Sequence, residues 1–396
     1  MSTVAAIFGS RSVEHEVSVI TAHQAMAALS AGHRAVPVYI AKDGRWYTGD
    51  PLTQLDRFSD VDGLLAASTM VTPVIDPARP GLTLLPAGAS RRGLLGRGTA
   101  EPTHIDVAMP LVHGSLGEDG SLQGLLEMAA VPYTGSGVAA SALCMDKRLA
   151  KTVLRAADLP VLDDVVIERE RWRADPDLAV RAAEALAPYP LFVKPVSLGS
   201  SIGVSRATTS AGLRDALEVA LTYDHRCLVE AAQETIVEIN CAVLGDGGDA
   251  RTSLLEQPIS SGLLSYDDKY RAGAGKSQGK SAGMKGARRI IPAPLDEELA
   301  ARVRAAAQAA FAAVGASGVA RVDFMVDAAA QRLLVNEVNP IPGSLSFYLF
   351  EPDGLSFTAL LDELIEIALR RHAQRAGSTL VFDRWMLGGS GAKTTR

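Results

Sequence analysis

Residues 318–347 read GVARVDFMVDAAAQRLLVNEVNPIPGSLSF, and this stretch decides the fold. Apolar residues alternate with polar ones on both sides of a short polar connection, a pattern that predicts two β-strands joined in a hairpin. Each strand carries two polar side chains that a purely structural strand does not need. These side chains are Arg321, Asp323, Glu337 and Asn339. The hairpin is therefore the first place to look for chemistry.

The register of the hairpin decides which of these side chains face each other. Members of each pair are two residues apart, so they share one face of their strand. A hairpin that is symmetric about Ala330 places Asp323 opposite Glu337 and Arg321 opposite Asn339. The two carboxylates then lie about 5 Å apart. At an effective dielectric near 20 their mutual repulsion costs about 3 kcal/mol.

A cation between the two carboxylates would remove this repulsion. Two carboxylates and an amide oxygen suit Mg²⁺, which usually completes its shell with water and nucleotide phosphates. The alternative is a solvent-exposed strand face with ordinary charges, and the apolar setting of the strands disfavours it. The Pro-Ile-Pro-Gly segment at 340–343 ends the second strand and can turn backbone N–H groups toward a substrate.

Composition limits the class of protein. A chain of 396 residues suggests two or three domains, and 47% hydrophobic with 21% charged residues indicates sizeable packed cores. The net charge of −6 argues against a general nucleic-acid binder. Three scattered cysteines are too few for a disulfide framework or a zinc site, and no run of about 18 apolar residues predicts a membrane span. We expect a soluble cytoplasmic protein.

The N-terminus predicts a binding corner. Residues 3–9 form an apolar strand, which runs through Gly9-Ser10-Arg11-Ser12 into a helix beginning near Glu14. Free N–H groups collect at a helix start, so such a corner binds anions or carboxylates. The Glu14 carboxylate either holds an ammonium group or stabilises the helix dipole, and the sequence leaves both open. The turn lacks the three-glycine fingerprint of nicotinamide dehydrogenases.

The middle of the chain adds further candidates. Residues 105–114 predict one strand with His113 at its end, where ligands collect in open α/β sheets. Residues 141–157 predict one helix that carries Lys147 and Lys151, although lysines on a helix are normally just solvated. Residues 55–103 show no clear pattern.

A phosphate-binding flap is predicted at residues 190–207. A strand that carries Lys194 leads into a Gly- and Ser-rich loop, and a second strand is expected from Ile202. Backbone N–H groups of such a loop can cover phosphates while the lysine supplies charge. No Gly-Lys-Ser/Thr opens a helix here, so this is not a Walker loop. The next two strands carry Glu230 and Glu238, whose carboxylates could accept from nucleotide amino or hydroxyl groups.

Residues 265–289 are rich in Gly, Ser, Lys and Arg and almost free of aliphatic side chains. Long segments of this kind are usually functional or disordered, so we predict a mobile lid. Helices are expected at 295–316 and 356–376, and the end of the chain is expected to be a disordered tail.

Taken together, these residues resemble the D-alanine–D-alanine ligases of the ATP-grasp superfamily over most of residues 3–372. Four motifs stand in family order: SVEHEVS at 12–18, HGSLGEDGSLQGLLE at 113–127, VKPVSLGSSIGV at 193–204, and RVDF with NEVNPIPG at 321–324 and 336–343. The resemblance implies an α/β fold of three domains, with ATP gripped between the last two. The implied division is 1–135 for the doubly wound N-terminal domain, 136–229 and 230–376 for the two lobes, and 377–396 for the tail.

Site roles follow from the resemblance at matching positions. The implied ATP contacts are Lys147, Lys194, Ser201, Glu230, Glu238 and Lys269. The implied ligands of Mg²⁺ or Mn²⁺ are Asp323, Glu337 and Asn339. Glu14, Ser200 and Tyr270 would form a hydrogen-bonded trio that closes the site. Arg321 and the Gly343 N–H would stabilise a tetrahedral intermediate, and His113 would lie with Glu14 beside the first D-alanine.

The implied reaction joins two D-alanine molecules through an acyl phosphate, for peptidoglycan precursor synthesis. The resemblance also implies a homodimer, small amino-acid substrates, and neither a nucleic-acid nor a membrane partner. One segment departs from the family. After Gly343 the family usually has a serine that holds the second substrate's carboxylate, whereas this chain places Tyr348 there by count, with Ser344 and Ser346 nearby.

This departure and a long basic lid leave the acceptor open. An alternative is a related ligase that joins D-alanine or another amino acid to D-lactate, D-serine or a different acceptor. A nucleotide-binding regulator without catalysis is a third interpretation, which the complete set of metal-binding and basic positions disfavours.

Overall fold

The structure is a computed structural model that describes residues 1–76, 81–87, 101–233, 235–259 and 288–379. Most of the predicted lid, with Lys269 and Tyr270, lies outside the described residues, and so does the chain beyond residue 379. Within the described part, no helix is long and apolar enough to cross a membrane.

The first sheet has seven strands in the order β6-β5-β4-β3-β2-β1-β7. The strands are β1 (Ser2–Gly9), β2 (His33–Ile40), β3 (Trp46–Thr48), β4 (Thr69–Val74), β5 (Leu82–Pro86), β6 (Thr103–Ile105) and β7 (Val107–Pro110). Its helices are α1 (His15–Ala28), α2 (Val61–Ala67) and α3 (Ser121–Met128), with short 3-10 helices at Asp50–Thr53 and Leu55–Ser59. Only β2, β1 and β7 pair in parallel, so the expected doubly wound character is confined to them. The strands from β2 to β6 pair antiparallel, each with its neighbour in sequence.

The prediction of a single strand at 105–114 is wrong, because this segment contains the end of β6 and all of β7. Asp106 separates β6, which pairs with β5, from β7, which pairs with β1. Its carboxylate accepts a hydrogen bond of 2.7 Å from the Thr3 N–H, so this residue serves as a fixed corner. Strand β7 ends at Pro110, and His113 therefore lies in the loop beyond it.

The second sheet has four antiparallel strands in the order β10-β9-β11-β8. They are β8 (Asp164–Glu168), β9 (Leu191–Pro195), β10 (Ser205–Ala207) and β11 (Arg226–Ala231). The helices of this part are α4 (Val138–Met145), α5 (Lys147–Ala156), α6 (Arg169–Ala174), α7 (Pro176–Glu184) and α8 (Ser210–Tyr223). The second strand begins at Ser205 rather than at Ile202. Ser200, Ser201 and Gly203 have φ of 52°, 57° and 72°, so the loop turns tightly before the strand can start.

The helix predicted at 141–157 is in fact two helices. Asp146 adopts an extended conformation between α4 and α5, and its carboxylate accepts a 2.9 Å hydrogen bond from the Leu149 N–H. This is an N-cap, which satisfies a donor at the start of α5. Because of this break, α5, which carries Lys147 and Lys151, is a separate helix from α4.

The third sheet has five strands in the order β14-β13-β12-β15-β16. They are β12 (Val237–Asp246), β13 (Arg251–Pro258), β14 (Arg289–Ile290), β15 (Ser317–Asp327) and β16 (Arg332–Asn339). Helix α9 (Glu297–Ala313) covers one face, 3-10 helices follow at Gly343–Leu349 and Glu351–Asp353, and α10 (Phe357–Ala376) ends the described chain. Arg289, predicted at the end of the lid, belongs to β14. Strand β11 runs through the border placed at 230, so a border after Ala231 keeps that strand whole.

One hydrophobic core joins the first sheet to the end of the chain. Phe8 and Val4 of β1 share this core with Leu361 and Leu364 of α10 and with the apolar residues of the 3-10 helix at Gly343–Leu349. The second sheet has a core of its own beneath α7 and α8. The third sheet and the first are therefore packed together, and the second sheet stands across a cleft from the third.

Candidate active site

The hairpin of β15 and β16 has the predicted register. Asp323 pairs with Glu337 and Arg321 pairs with Asn339, so this prediction is confirmed. One residue further on, Phe324 pairs with Val335, and the intervening Asn336 forms a bulge. The Asn336 side chain accepts a 3.5 Å hydrogen bond from Lys194 Nζ in the second sheet.

The Asp323 carboxylate is almost fully buried and well satisfied. Arg321 donates to both of its oxygens, at 2.6 and 2.7 Å, in a bidentate pair. Asn339 Nδ2 donates to the same carboxylate at 3.0 Å. A bidentate guanidinium partner fixes the orientation of a buried carboxylate. Arg321 is thereby fixed in the site rather than exposed to solvent.

The donor set of the hairpin fits a hard divalent cation. Two carboxylates on opposed strands and a neighbouring amide are the ligand types that Mg²⁺ takes, with phosphate oxygens and water for the rest. The Asn339 amide presents its nitrogen to Asp323, and a half-turn of the amide presents its oxygen instead. Among the described residues no group of three or more His, Cys, Asp or Glu is placed to hold a metal.

The cleft between the second and third sheets gathers the predicted nucleotide residues. It has a volume of about 410 Å³, and it is lined by every described member of that set and by Glu337. The lining members of the set are Lys147, Lys194, Ser201, Glu230 and Glu238. Lys147 Nζ lies 3.6 Å from Glu337 Oε2 and donates to the Leu198 carbonyl at 2.5 Å. A larger cleft of about 640 Å³, beside α1, has more apolar walls, and none of the predicted site residues that the structure describes lines it.

Glu230, predicted to contact the nucleotide, also binds two lysines of the protein. The carboxylate is buried, with Lys194 Nζ at 2.5 Å from one oxygen and Lys151 bonded to the other. The two lysines keep the pKa of Glu230 below its usual value, although burial alone would raise it. The sequence analysis placed Lys151 on a helix with Lys147 but assigned it no role, because lysines on a helix are normally solvated. The available signal was its position four residues after Lys147, which puts both lysines on one face of α5.

The contact predicted between Glu14 and Ser200 is present. Ser200 Oγ donates to Glu14 Oε1 and so links the first sheet to the flap. Two glycines leave room for this carboxylate. A Cβ placed on Gly114 would lie 2.7 Å from Glu14 Oε2, and one placed on Gly199 would lie 3.0 Å from it. The third member of the predicted trio, Tyr270, lies outside the described residues.

His113 and Glu118 form a buried polar layer beside the hairpin. His113 Nε2 lies 2.9 Å from Thr21 Oγ1, and burial lowers the pKa of His113 to about 4. Glu118 accepts hydrogen bonds from the N–H groups of Gly114, at 2.7 Å, and Ile341, at 3.2 Å. Burial and the nearby charge of Glu14 raise the pKa of Glu118 to about 8. The sequence signal for Glu118 was a pair of acids between glycines in GEDG, at 117–120, which also fits an ordinary turn.

Replacing Glu118 by Gln should make the free energy of unfolding depend less on pH between about pH 5 and pH 8. The folded-state pKa is raised from 4.5 to about 8, so the folded form binds a proton that the unfolded form has released. Wild-type stability from this group is complete below pH 4.5 and is lost as the pH rises through 8. Urea unfolding at several pH values would measure it. A variant that loses as much stability over this range as wild type would contradict the assignment.

The predicted acceptor residues lie in the 3-10 helix after Gly343. Ser344, Leu345 and Ser346 have φ of 54°, 50° and 50°, an unusual left-handed run for residues with a Cβ. Ser344 is fixed by its N–H, which donates to Thr21 Oγ1 at 3.1 Å. Ser346 Oγ is buried and has no hydrogen-bond partner among the described residues. A strained turn with an unsatisfied hydroxyl is typical of a binding segment.

Tyr348 is buried and belongs to a charged cluster. Its hydroxyl donates to Glu256 Oε2 at 3.2 Å, and the Arg289 guanidinium lies 4.0 Å from its ring centroid. Arg289 Nη1 is 3.0 Å from Glu256 Oε1, and Asn240 Nδ2 donates to Glu256 Oε2 at 3.3 Å, so Glu256 links all of these side chains. Burial and the Glu256 charge raise the pKa of the phenol. Tyr348 is more than an apolar core residue, because its hydroxyl is part of a polar network.

Comparisons with known proteins identify the family. The family described as D-ala D-ala ligase N-terminus matches residues 3–136, and the one described as D-ala D-ala ligase C-terminus matches residues 153–366. The chain is 37% identical over 377 residues to the D-alanine–D-alanine ligase of Chlorobium phaeovibrioides, covering 93% of this chain and 97% of that protein. It is 39% identical over 376 residues to D-alanine–D-alanine ligase A of Chromobacterium violaceum, covering 93% and 95%.

Solved structures show the same fold. The D-alanine–D-alanine ligase of Coxiella burnetii superposes with a TM-score of 0.74 at 31% identity, covering 95% of this chain and 97% of that one. The VanG D-Ala:D-Ser ligase of Enterococcus faecalis gives a TM-score of 0.74 at 29% identity, covering 93% and 99%. With both halves matched, this chain belongs to the D-alanine–D-alanine ligase family of the ATP-grasp superfamily.

Proposed function

We propose that this enzyme uses ATP to join two D-alanine molecules into D-alanyl-D-alanine, a precursor for peptidoglycan. One observation carries the proposal: the hairpin places Arg321, Asp323, Glu337 and Asn339 in one register at the edge of a cleft lined by Lys147 and Lys194. The negative charge of a phosphate chain needs cations beside it, and so does a pair of facing carboxylates. The family match supports ATP as the energy source.

In the first step, a carboxylate oxygen of the first D-alanine attacks the γ-phosphorus of ATP. The new O–P bond gives an acyl phosphate as the bond to the β-phosphate oxygen breaks and ADP leaves. Lys147 and Lys194 hold the phosphates, and Asp323, Glu337 and Asn339 would hold Mg²⁺ or Mn²⁺. The metal, when bound, would neutralise charge on the phosphates. Lys269 would reach the transferred phosphate from the lid.

In the second step, the amine of the second D-alanine attacks the acyl carbonyl carbon. The bond from this carbon to the phosphate oxygen breaks as the peptide bond forms, and the leaving phosphate takes up the proton that the nitrogen loses. Arg321 and the Gly343 N–H would stabilise the negative oxygen of the tetrahedral intermediate. Glu14 would hold the ammonium group of the first D-alanine, with His113 beside it. The Glu14 and Ser200 contact, joined by Tyr270, would keep water from the acyl phosphate. Ser201, Glu230 and Glu238 would line the nucleotide side.

The setting of the enzyme is also part of the proposal. We expect a homodimer in the cytoplasm, the compartment that contains ATP and free D-alanine. The three cysteines are buried and free, which suits a reducing compartment. Light scattering of the purified enzyme would measure its mass, and a monomer at micromolar concentration would contradict the dimer.

The direct test is phosphate release from ATP with single amino acids and pairs of amino acids, together with mass spectrometry of the product. D-alanine alone should give phosphate and D-alanyl-D-alanine, while L-alanine should give neither. L-alanine also serves as the matched control, because it differs only in configuration. ATP hydrolysis without any dipeptide product would contradict the proposal.

The Tyr348, Glu256 and Arg289 cluster favours one second candidate, in which the acceptor is not D-alanine. A phenol reaches further than a serine hydroxyl, and the neighbouring carboxylate and guanidinium could bind a polar acceptor such as D-serine. D-lactate or another amino acid is the remaining option. The same assay with D-alanine plus each acceptor decides, because the product mass identifies the acceptor.

Removing the hydroxyl of Tyr348 should raise the KM for the acceptor and leave the KM for the donor nearly unchanged. The Tyr348→Phe variant keeps the ring beneath Arg289 but loses the hydrogen bond to Glu256. Loss of one hydrogen bond to a charged group corresponds to about a tenfold change in KM. Ser346→Ala tests the other candidate hydroxyl in parallel. An unchanged acceptor KM in the Tyr348 variant would exclude that phenol from the acceptor site.

A further inference from the structure

Lys151 is a buried cation that the reaction described above does not use. Its residue exposure is 2%, and its Nζ donates to Glu230 Oε1. Asp164 Oδ1 lies 3.8 Å from the same Nζ. Burial lowers the pKa of Lys151, while the charges of Glu230 and Asp164 oppose that shift. A lysine so deep in the protein needs partners of opposite charge.

The sheet itself explains why a cation is required here. Strands β11 and β8 pair so that Glu230 lies directly opposite Asp164. Side chains of directly opposed residues are about 5 Å apart, and two carboxylates at that separation repel by about 3 kcal/mol at a dielectric near 20. Arg155 and Arg148 hold Asp164 from the more exposed side, at 2.5 and 3.0 Å. Lys151 lies between the two carboxylates.

Glu230 divides its two oxygens between two lysines. Oε1 is held by Lys151, and Oε2 accepts from Lys194 Nζ at 2.5 Å. Lys194 sits on β9 opposite Leu228, two residues from Glu230, so the two side chains are diagonal neighbours on one face. With Oε1 fixed, the direction of Oε2 is fixed as well. The position of the Lys194 ammonium group in the cleft then depends on a residue that does not line the cleft.

We propose that Lys151 is a positioning residue for nucleotide binding: through Glu230, it holds Lys194 where the phosphates of ATP bind. This inference rests on the proposed function, in which Lys194 contacts the phosphates. Lys151 itself touches no substrate. Its role is to keep one carboxylate from rotating and to cancel the repulsion between two of them.

Removing this charge should weaken nucleotide binding selectively. In Lys151→Met, Glu230 Oε1 loses its cation, and Lys194, which is bonded to Oε2, is drawn further toward this carboxylate. We expect the Kd for Mg·ADP and the KM for ATP to rise at least about tenfold, the size of one misplaced charge-assisted hydrogen bond. The KM for D-alanine should change by less than about twofold, since no amino-acid contact is altered. Lys151→Arg keeps the charge and should recover part of the affinity.

The experiment measures Mg·ADP binding by calorimetry and both KM values on the full-length enzyme. Arg148→Met is the matched control, because Arg148 lies on the same helix and binds the same Asp164, but its side chain is 44% exposed. This control should bind Mg·ADP as wild type does. A lower melting temperature with an unchanged Kd in Lys151→Met would overturn the proposal and leave a structural role.

If Lys151→Met does not fold, the same measurements are made on the double variant Lys151→Met, Asp164→Asn. This pair removes one carboxylate together with the lysine, so the buried charge stays balanced. Glu230 still lacks the partner of its Oε1, and the Kd for Mg·ADP should remain raised. Wild-type affinity in the double variant would refute the positioning role. Failure of the wild-type enzyme to bind Mg·ADP would instead refute the proposed function.

Discussion

The Glu337→Gln variant should fold normally and retain less than about a tenth of wild-type ligation, a loss that follows from weakening a catalytic metal site. The amide has almost the same volume as the carboxylate, so packing against β15 is preserved. The amide has no charge, so Asp323 becomes the single carboxylate of the pair. Lys147, whose Nζ lies 3.6 Å from Glu337 Oε2, loses this ionic partner. Initial rates across a Mg²⁺ titration would show the defect.

The matched control for this variant is Glu297→Gln, a substitution of the same kind on the surface of α9, where the side chain is 86% exposed. It should leave both rate and melting temperature unchanged. The metal assignment would be wrong if Glu337→Gln kept more than about a tenth of the wild-type rate at saturating Mg²⁺, because a lost metal carboxylate costs more than that.

The Arg321→Met variant should lose both activity and stability. Removing one donor to a developing oxyanion typically lowers turnover by about 10²–10³. In addition, Asp323 keeps a buried charge without its bidentate partner, and breaking such a pair costs about 3–5 kcal/mol. Urea unfolding without nucleotide or metal measures the second loss, and ligation assays measure the first.

A companion variant separates the two losses. Adding Asp323→Asn to Arg321→Met removes the buried charge, so most of the stability should return while ligation stays absent. If Arg321→Met alone were as stable as wild type, the buried pair would contribute nothing to folding. If the double variant ligated at more than a few per cent of the wild-type rate, neither residue would be part of the catalytic site.

The hairpin could be predicted from the sequence because strand alternation and a short turn leave few registers, and burial on one face excludes a one-residue slip. Two of the wrong predictions were decided by a single polar side chain each. Asp146 ended a helix that Ala and Leu periodicity would have continued, and Asp106 divided a strand whose other residues are mostly apolar. Asp146 caps the Leu149 N–H three residues away, whereas the role of Asp106 depends on Thr3, which is distant in sequence.

The same reason explains which site residues were found. Motifs at fixed spacing located Lys194 and Glu337, which line one cleft, and Glu14, which Ser200 links to the flap. Lys151 and Glu118 were assigned no role because their importance lies in burial, and burial of a charged side chain is not visible in composition or periodicity. Each becomes recognisable only when strands from separate parts of the chain place another charge beside it.

The core shared by β1 and α10 has a consequence for synthesis on the ribosome. The first strand emerges early, but Leu361 and Leu364, which belong to the same core, are made more than 350 residues later. At about 5–20 residues per second, the unfinished N-terminal sheet waits for tens of seconds without these residues of its core. The nascent chain is a natural client for chaperones during this interval, and a premature stop before α10 would leave an aggregation-prone fragment.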